Sequence, residues 1–206
     1  MKGLTTRCPA RTAIDAAILA GGRARRLGGR DKASLDINGA RVLDRQLSVL
    51  GAVAQRIVIV GGPPRAGEDA SVVTVPDLAP GAGPLGGIYT ALCHATAPRM
   101  IIVACDMPFL TAPFLEFLGA AGHGCDVAVP QDGRGRHALC AAWDVRAAAR
   151  LEQLLADGVR AVRDALGRLR VHVIGEDALG TFDPDGRLLH NINTPDDLAR
   201  AITLRG

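Results

Sequence analysis

The stretch Ala16-Ala-Ile-Leu-Ala20 is a short apolar run that leads directly into Gly21 and Gly22. Similar apolar runs follow at residues 56–60, 71–75, 100–104 and 126–130. Their apolarity is continuous rather than alternating, which is typical of strands that are covered on both faces. These runs therefore predict the strands of a sheet that is buried between other layers.

Segments with apolar residues at helical spacing lie between these runs, at residues 42–53, 86–94, 112–121 and 145–155. A last helix is expected to begin at Pro195, because Thr194 can cap it and an acid stands at its third position. This alternation predicts an α/β fold with three layers and a doubly wound, mostly parallel sheet. We expect a flexible N-terminal extension at residues 1–13 and a single domain at residues 14–206.

The composition argues against nucleic-acid and membrane partners. The 206 residues carry a formal net charge of +3, without a run of like charges that resembles a nucleic-acid-binding tail. One Trp and one Tyr are too few for a platform that stacks single-stranded bases. No stretch approaches the roughly 20 apolar residues of a membrane span, and no signal peptide is recognisable.

The five cysteines are widely spaced and include no C-x-x-C pair. Such a pattern is typical of reduced, mostly buried thiols rather than of a disulfide framework or a metal site. We therefore expect a cytoplasmic protein.

The residues after the first predicted strand combine glycines with basic side chains, in the order Leu19-Ala-Gly-Gly-Arg-Ala-Arg-Arg-Leu-Gly-Gly-Arg-Asp-Lys32. Glycines let backbone amides approach a ligand closely, and the arginines and the lysine supply positive charge. The loop therefore suits a polyphosphate at the carboxyl end of a strand, where α/β sheets bind ligands. Neither the Walker pattern nor G-x-G-x-x-G can be read in this loop, which argues against P-loop ATPases and dinucleotide-dependent dehydrogenases.

This loop resembles that of nucleotidyltransferases, and in particular that of the molybdenum cofactor guanylyltransferase (molybdopterin-guanine dinucleotide synthase) family. The loop resemblance lies in Leu-Ala-Gly-Gly at residues 19–22 and Ala-Arg-Arg-Leu-Gly-Gly-x-Asp-Lys at residues 24–32. It extends to Pro76-Asp77, Gly81-Ala-Gly-Pro-Leu-Gly-Gly87, Cys105-Asp-Met-Pro108 and Asn191-Ile-Asn-Thr-Pro-Asp-Asp-Leu198. It implies a nucleotide-diphospho-sugar-transferase-like fold.

The resemblance implies that the chain transfers GMP from GTP to the terminal phosphate of molybdopterin, with or without bound molybdenum. The products are molybdopterin guanine dinucleotide and pyrophosphate. The attacking phosphate oxygen is already ionised at neutral pH, so the reaction needs no Ser-His-Asp array. Catalysis then depends on positioning and charge neutralisation, with Mg²⁺ as the implied cofactor.

The family pattern assigns nucleotide binding to Leu19, Ala20, Gly21, Gly22, Lys32, Asp77 and Asp106. It makes Arg26, Lys32 and Asp106 the catalytic residues. Asp106 follows the apolar run 100–104, so its carboxylate is expected at a strand end, where Mg²⁺ binds through one or two carboxylates plus phosphates. The structural alternative is a cap for the next helix, although Thr111 is better placed for that role.

Two further segments have a structural alternative beside the functional one. Asp77 is expected to accept hydrogen bonds from guanine or from ribose, and it can also simply start the turn at Pro80-Gly81. Residues 80–87 can present helix amides to phosphate or form a tight structural loop. Many family members carry Asn where this chain has Gly61, which suggests a different arrangement for base recognition.

The acceptor side is assigned to Arg136, His137, Asn191 and Asn193. Arg136 and His137 stand in a basic turn that resembles the family's, although Ala138 replaces its usual Pro. Asn191 and Asn193 can hydrogen-bond phosphate, metal-bound water or pterin. Their structural alternative is to cap the last helix.

Two other functions stay open. One is a cytidylyltransferase that acts on the same pterin or on another phosphorylated acceptor, because these enzymes share the Gly-rich loop. The other is a non-catalytic cofactor carrier, against which Lys32 and Asp106 argue. The resemblance also implies transient contacts with cofactor-insertion proteins or apo-molybdoenzymes.

Overall fold

The computed structural model describes residues 13–21, 35–37, 39–63 and 71–203. The strands in this part of the chain are β1 Ile14–Leu19, β2 Asp36–Ile37, β3 Ala40–Arg41, β4 Ile57–Val60, β5 Val72–Val75, β6 Arg99–Ala104, β7 Val127–Asp132, β8 Gly135–Arg136, β9 Cys140–Asp144 and β10 Val171–Ile174. The helices are α1 Val42–Gly51, α2 Gly83–Cys93, α3 Ala112–Ala120, α4 Ala147–Ala156, α5 Val162–Leu166, α6 Glu176–Gly180 and α7 Pro195–Thr203.

The main sheet has the strand order β10-β7-β9-β6-β1-β4-β5, with β8 paired to β7. The neighbours β6, β1, β4 and β5 are all parallel, and β10 is parallel to β7. Strand β9 runs antiparallel to both β6 and β7. The prediction of a mostly parallel sheet is therefore confirmed, and the crossovers place helices on both of its faces.

Two apolar clusters cover the two faces of the sheet. One packs against α1 and α3 and includes Ile18, Val103, Phe114 and Leu118. The other packs against α2 and α4 and includes Leu19, Leu85, Ile88, Ile102 and Trp143. Successive residues of β1 and β6 alternate between the clusters, as strand geometry requires. Both faces are thus buried, which explains the continuous apolar runs and confirms the three-layer prediction.

All five predicted strands and all five predicted helices are present, with small shifts at their ends. Helix α2 begins at Gly83, earlier than the expected residue 86, because Pro84 stands in its first turn, where proline is well tolerated. Helix α1 ends at Gly51 rather than at residue 53. The sequence did not predict β9, β10, the short hairpin strands or the short helices α5 and α6.

The N-terminal prediction falls mostly outside the described residues, where β1 is the first element and begins at Ile14. Cys93, Cys125 and Cys140 are free thiols, and burial raises the pKa of Cys140 to about 12. None of the helices in the described ranges is long and apolar enough to cross a membrane.

Candidate active site

The carboxyl ends of four parallel strands lie level with one another. Leu19 pairs in register with both Val60 and Ala104, and Val60 pairs with Val75. Backbone hydrogen bonds between β1 and β4 continue beyond the end of β1, where Gly21 N donates to Val60 O over 3.1 Å. The residues that follow β1, β4, β5 and β6 are therefore brought to one edge of the sheet.

A cleft of about 930 Å³ opens at this edge. It is lined by Leu19, Gly21, Val60, Gly61, Asp77, Pro80, Gly81, Gly83, Pro84, Gly87, Ala104, Cys105, Asp106, Leu139, Asn191 and Asn193. The volume is in the range of small-molecule sites. Most of its lining residues are small or apolar, while its carboxylates and amides come from three separate segments.

Asp106 lies on the turn after β6 and is only 7% exposed. The turn is held from two sides: Gln46 Nε2 donates to Ala104 O over 2.7 Å and to Met107 O over 3.1 Å. Ile192 N donates to Asp106 O over 2.9 Å. Asp106 is not the cap of α3, because Thr111 occupies that position, although its hydroxyl makes no capping bond. The carboxylate is therefore fixed at the cleft by its backbone.

Asn191 and Asn193 reach the cleft because Ile192 lies between them. Ile192 is fully buried in a small apolar cluster. Its neighbours on either side, Asn191 and Asn193, both line the cleft.

Thr194 and Asp197, rather than these asparagines, supply the capping side chains of helix α7. Thr194 Oγ1 accepts from Asp197 N over 3.1 Å, and Asp197 Oδ2 accepts from the backbone amides of Asn193 and Thr194. Burial opposes ionisation of Asp197, but the Asn193 and Thr194 donors outweigh it and lower its pKa. The predicted start of the last helix is confirmed, with a capping box.

Asp77 lies two residues beyond β5 and lines the cleft. Its Oδ1 accepts from Ala79 N over 2.9 Å and lies 3.0 Å from Thr90 Oγ1 on α2. Asp77 therefore shapes the turn at its own position while it also presents a carboxylate to the cleft. The structural role in the turn and the predicted role in nucleotide binding are compatible.

Gly61 makes a close backbone contact with the start of the Gly-rich loop. Its φ of +77° lies in the left-handed region, and a Cβ there would stand 3.1 Å from Gly21 Cα. Glycine removes both the conformational strain and this crowding. The departure from the family's Asn thus coincides with a tight approach between the segments after β1 and β4.

The model of the MobA-like NTP transferase domain family matches residues 16–173. A probable molybdenum cofactor guanylyltransferase of Pelotomaculum thermopropionicum is 35% identical to this chain over 184 residues, which are 89% of each protein. The chain belongs to the molybdenum cofactor guanylyltransferase family. The resemblance inferred from the loop and strand-end motifs is therefore confirmed.

Solved structures agree with this family assignment. Molybdopterin-guanine dinucleotide biosynthesis protein A from Archaeoglobus fulgidus superimposes with a TM-score of 0.79 at 30% identity, covering 92% of this chain and 97% of that one. The 2-C-methyl-D-erythritol 4-phosphate cytidylyltransferase from Thermus thermophilus gives a TM-score of 0.68 at 19% identity, covering 93% and 98%. The second likeness concerns the fold alone, and it confirms the predicted nucleotidyltransferase-like architecture.

The acceptor residues predicted in the basic turn do not line the cleft of this guanylyltransferase-family chain. Arg136 Nε donates to Gln131 Oε1 over 3.2 Å within the β7–β8 hairpin. His137 Nε2 lies 2.8 Å from Asp132 Oδ1. From this turn only Leu139 reaches the cleft. A role for Arg136 and His137 toward the acceptor stays a prediction.

Three predicted residues of the Gly-rich loop, Gly22, Arg26 and Lys32, lie outside the described residues. Leu19 and Gly21 line the cleft. Ala20 does not, and its backbone amide donates to Val60 O over 2.9 Å. Of the described loop residues, Leu19 and Gly21 therefore lie at the cleft and Ala20 does not, and their role in nucleotide binding stays a prediction.

Two residues near the site were not predicted. Leu139 reaches the cleft from the turn before β9, a strand that the sequence pattern did not reveal. Thr90 contacts Asp77 from the middle of α2, and the only available signal was a hydroxyl residue within an otherwise apolar helix.

Proposed function

We propose that this chain transfers GMP from GTP to the terminal phosphate of molybdopterin, with or without bound molybdenum, and releases pyrophosphate. One observation carries the proposal: Asp77, Asp106, Asn191 and Asn193 line the same cleft as Gly21, the first glycine of the Gly-rich loop. In a chain of this family, that cleft offers nucleotide, metal and acceptor contacts within one site.

Mg²⁺ is the cofactor that we propose for this cleft. Asp106 supplies a carboxylate oxygen and the two asparagines supply amide oxygens, which are ligands that suit a hard cation. Within the described ranges no group of three His, Cys, Asp or Glu residues converges on a metal position. An ion held at Asp106 would therefore complete its shell with nucleotide phosphates and water, and it would offset the repulsion between the two reacting anions.

The protein's own contribution is positioning and charge. The acceptor phosphate needs no general base, so the chain has to hold two anions in line and neutralise the pyrophosphate that leaves. We assign this neutralisation to Arg26 and Lys32 from the sequence. Asp77 accepts hydrogen bonds from the nucleoside, and Asn191 and Asn193 face the acceptor side.

The test is a transfer assay with the purified chain, molybdopterin, Mg²⁺ and each nucleoside triphosphate in turn, with separation of the dinucleotide product. We expect molybdopterin guanine dinucleotide and pyrophosphate in equal amounts, from GTP and only when Mg²⁺ is added. Product from CTP in preference to GTP would contradict the guanylyl assignment and favour the cytidylyl alternative. Binding of molybdopterin without product from any nucleotide would favour the carrier.

A cytoplasmic location and transient contacts with cofactor-insertion proteins or apo-molybdoenzymes fit this function and stay predictions. The location rests on the cysteine pattern and the contacts rest on the family resemblance, rather than on the geometry of the cleft.

A further inference from the structure

We propose that Thr90 is a positioning residue that fixes the carboxylate of Asp77 for nucleotide binding. This inference rests on the proposed function in that it takes GTP as the first ligand to test. It concerns a side chain that lies behind the cleft, touches Asp77, and is not among the residues that line the site.

Thr90 is completely buried on α2 and is surrounded by three polar groups. Its Oγ1 accepts from Leu78 N over 3.0 Å and lies 3.0 Å from Asp77 Oδ1 and 2.9 Å from Gly86 O. The hydroxyl has one proton to donate. A hydrogen bond to a charged oxygen is about twice as strong as one to a neutral oxygen, which favours donation to the carboxylate.

The same oxygen of Asp77 has a second donor. Ala79 N reaches Oδ1 over 2.9 Å, so a backbone amide and a buried hydroxyl both hold that atom. Every hydrogen bond that the described part of the chain gives this carboxylate goes to Oδ1. Because Asp77 also lines the cleft, Oδ2 is the atom left to accept from a ligand.

The backbone around this contact is tightly packed. A Cβ on Gly86 would come within 2.7 Å of Ala79 O, so α2 and the Asp77 turn meet almost backbone to backbone. The hydroxyl of Thr90 therefore sits at a fixed distance from Asp77. A carboxylate whose plane is fixed in advance can accept from a nucleoside donor without losing rotational freedom at binding.

The test measures the dissociation constant of GTP by calorimetry for the wild type, Thr90→Val, Thr90→Ser, Asp77→Ala and the double variant Asp77→Ala with Thr90→Val. Valine keeps the shape of threonine and removes the hydroxyl, whereas serine keeps the hydroxyl. We expect Thr90→Val to weaken GTP binding about tenfold and Thr90→Ser to stay within about threefold of the wild type. In the Asp77→Ala background, Thr90→Val should cause no further loss.

Two results would overturn the inference: an unchanged dissociation constant in Thr90→Val, or an equal loss with and without Asp77, which would make Thr90 merely structural. Thermal unfolding of each variant shows whether its native state is populated. If Thr90→Val does not fold, Thr90→Ala replaces it as the variant without the hydroxyl, alone and with Asp77→Ala, with the same expected losses. A wild type that prefers CTP would contradict the proposed function but not the role of Thr90, because the dissociation constants of the same variants can then be measured with CTP. A wild type that binds no nucleotide would overturn both.

Discussion

At the scale of single residues, the site depends on backbone atoms that approach closely where side chains would not fit. Gly86 is the clearest case, because a Cβ there would overlap Ala79 O at 2.7 Å and also crowd the Ala82 side chain. The Ala79 amide is one of the two donors that hold Asp77. A change at Gly86 should therefore affect both packing and the nucleotide site.

We expect Gly86→Ala to lower the free energy of unfolding by about 1–3 kcal/mol, because the helix must move away from the turn. GTP binding should weaken with it, since the turn that carries Asp77 moves. Urea unfolding and GTP calorimetry measure the two effects. Gly180→Ala is the matched control, because Gly180 has open space around its Cβ position and should tolerate alanine. Wild-type values for both quantities in Gly86→Ala would contradict this account.

The position of Asp77 and Asp106 at the cleft could be predicted from the sequence, for a physical reason. Each follows a parallel strand, and the ends of such strands share one edge. Asn191 and Asn193 could be placed only by resemblance, because their approach depends on the burial of Ile192, a tertiary contact. Thr90 was missed for the same reason.

At the scale of elements, parallel strands were easier to predict than the antiparallel insertion. Strand β9 is fully buried but reads Cys140-Ala-Ala-Trp-Asp144, and alanine is depleted in strands. It lies between β6 and β7. Strand β10 is short and stands at the end of the strand order, with two exposed residues. His172 interrupts the apolar run of β10, and the apolar residues of β9 are mostly small rather than β-branched.

Helix α3 has an unusual C-terminal cap in Arg99, which begins β6 and is only 4% exposed. Its guanidinium donates to Gly119 O over 3.1 Å and to Ala121 O over 2.6 Å, carbonyls at the end of the helix. Burial is the main cause that lowers the pKa of Arg99, and the nearby Asp144 opposes it. Arg99 lies at the end of β6 opposite to Asp106, so its role is in stability.

We expect Arg99→Met to lower the free energy of unfolding by roughly 3 kcal/mol, because the buried carbonyls at the end of α3 lose their donors. The turnover of the folded enzyme should not change. Chemical unfolding and steady-state kinetics measure the two quantities. Arg163→Met is the control, because the Arg163 side chain is 94% exposed and its removal should leave stability unchanged. Loss of turnover in a folded Arg99→Met enzyme would contradict the assignment of Arg99 to stability alone.

At the scale of the whole molecule, four aspartates make the fold sensitive to acid. Burial opposes ionisation of Asp132, but Arg134 and His137 outweigh it and lower its pKa to about 2. The pKa of Asp126 is lowered by Arg170 against the effect of burial, and that of Asp144 is lowered mainly by Arg146. Asp197 is shifted in the same direction. Each carboxylate is thus more acidic in the folded protein than in the unfolded chain.

A lowered native pKa stabilises the fold above the unfolded pKa, and this stabilisation is lost as the pH falls through the native value. For Asp132 the loss occurs between about pH 4 and pH 2, and it amounts to about 2 kcal/mol. We expect Asp132→Asn to lower stability near pH 7 and to flatten the decline in acid. Urea unfolding at a series of pH values measures this. An equally steep decline in Asp132→Asn would show that Asp132 does not contribute to it.

Asp106 is expected to support GMP transfer in the cleft that the level strand ends form. The most direct measurement is the rate of molybdopterin guanine dinucleotide formation from GTP by the wild type and by Asp106→Asn, over a range of Mg²⁺ concentrations, with Asp164→Asn as an exposed control. We predict a rate at least about 100-fold lower in Asp106→Asn, equivalent to roughly 3 kcal/mol of transition-state stabilisation, with an unchanged unfolding curve. Wild-type turnover and Mg²⁺ dependence in the folded Asp106→Asn enzyme would contradict the claim.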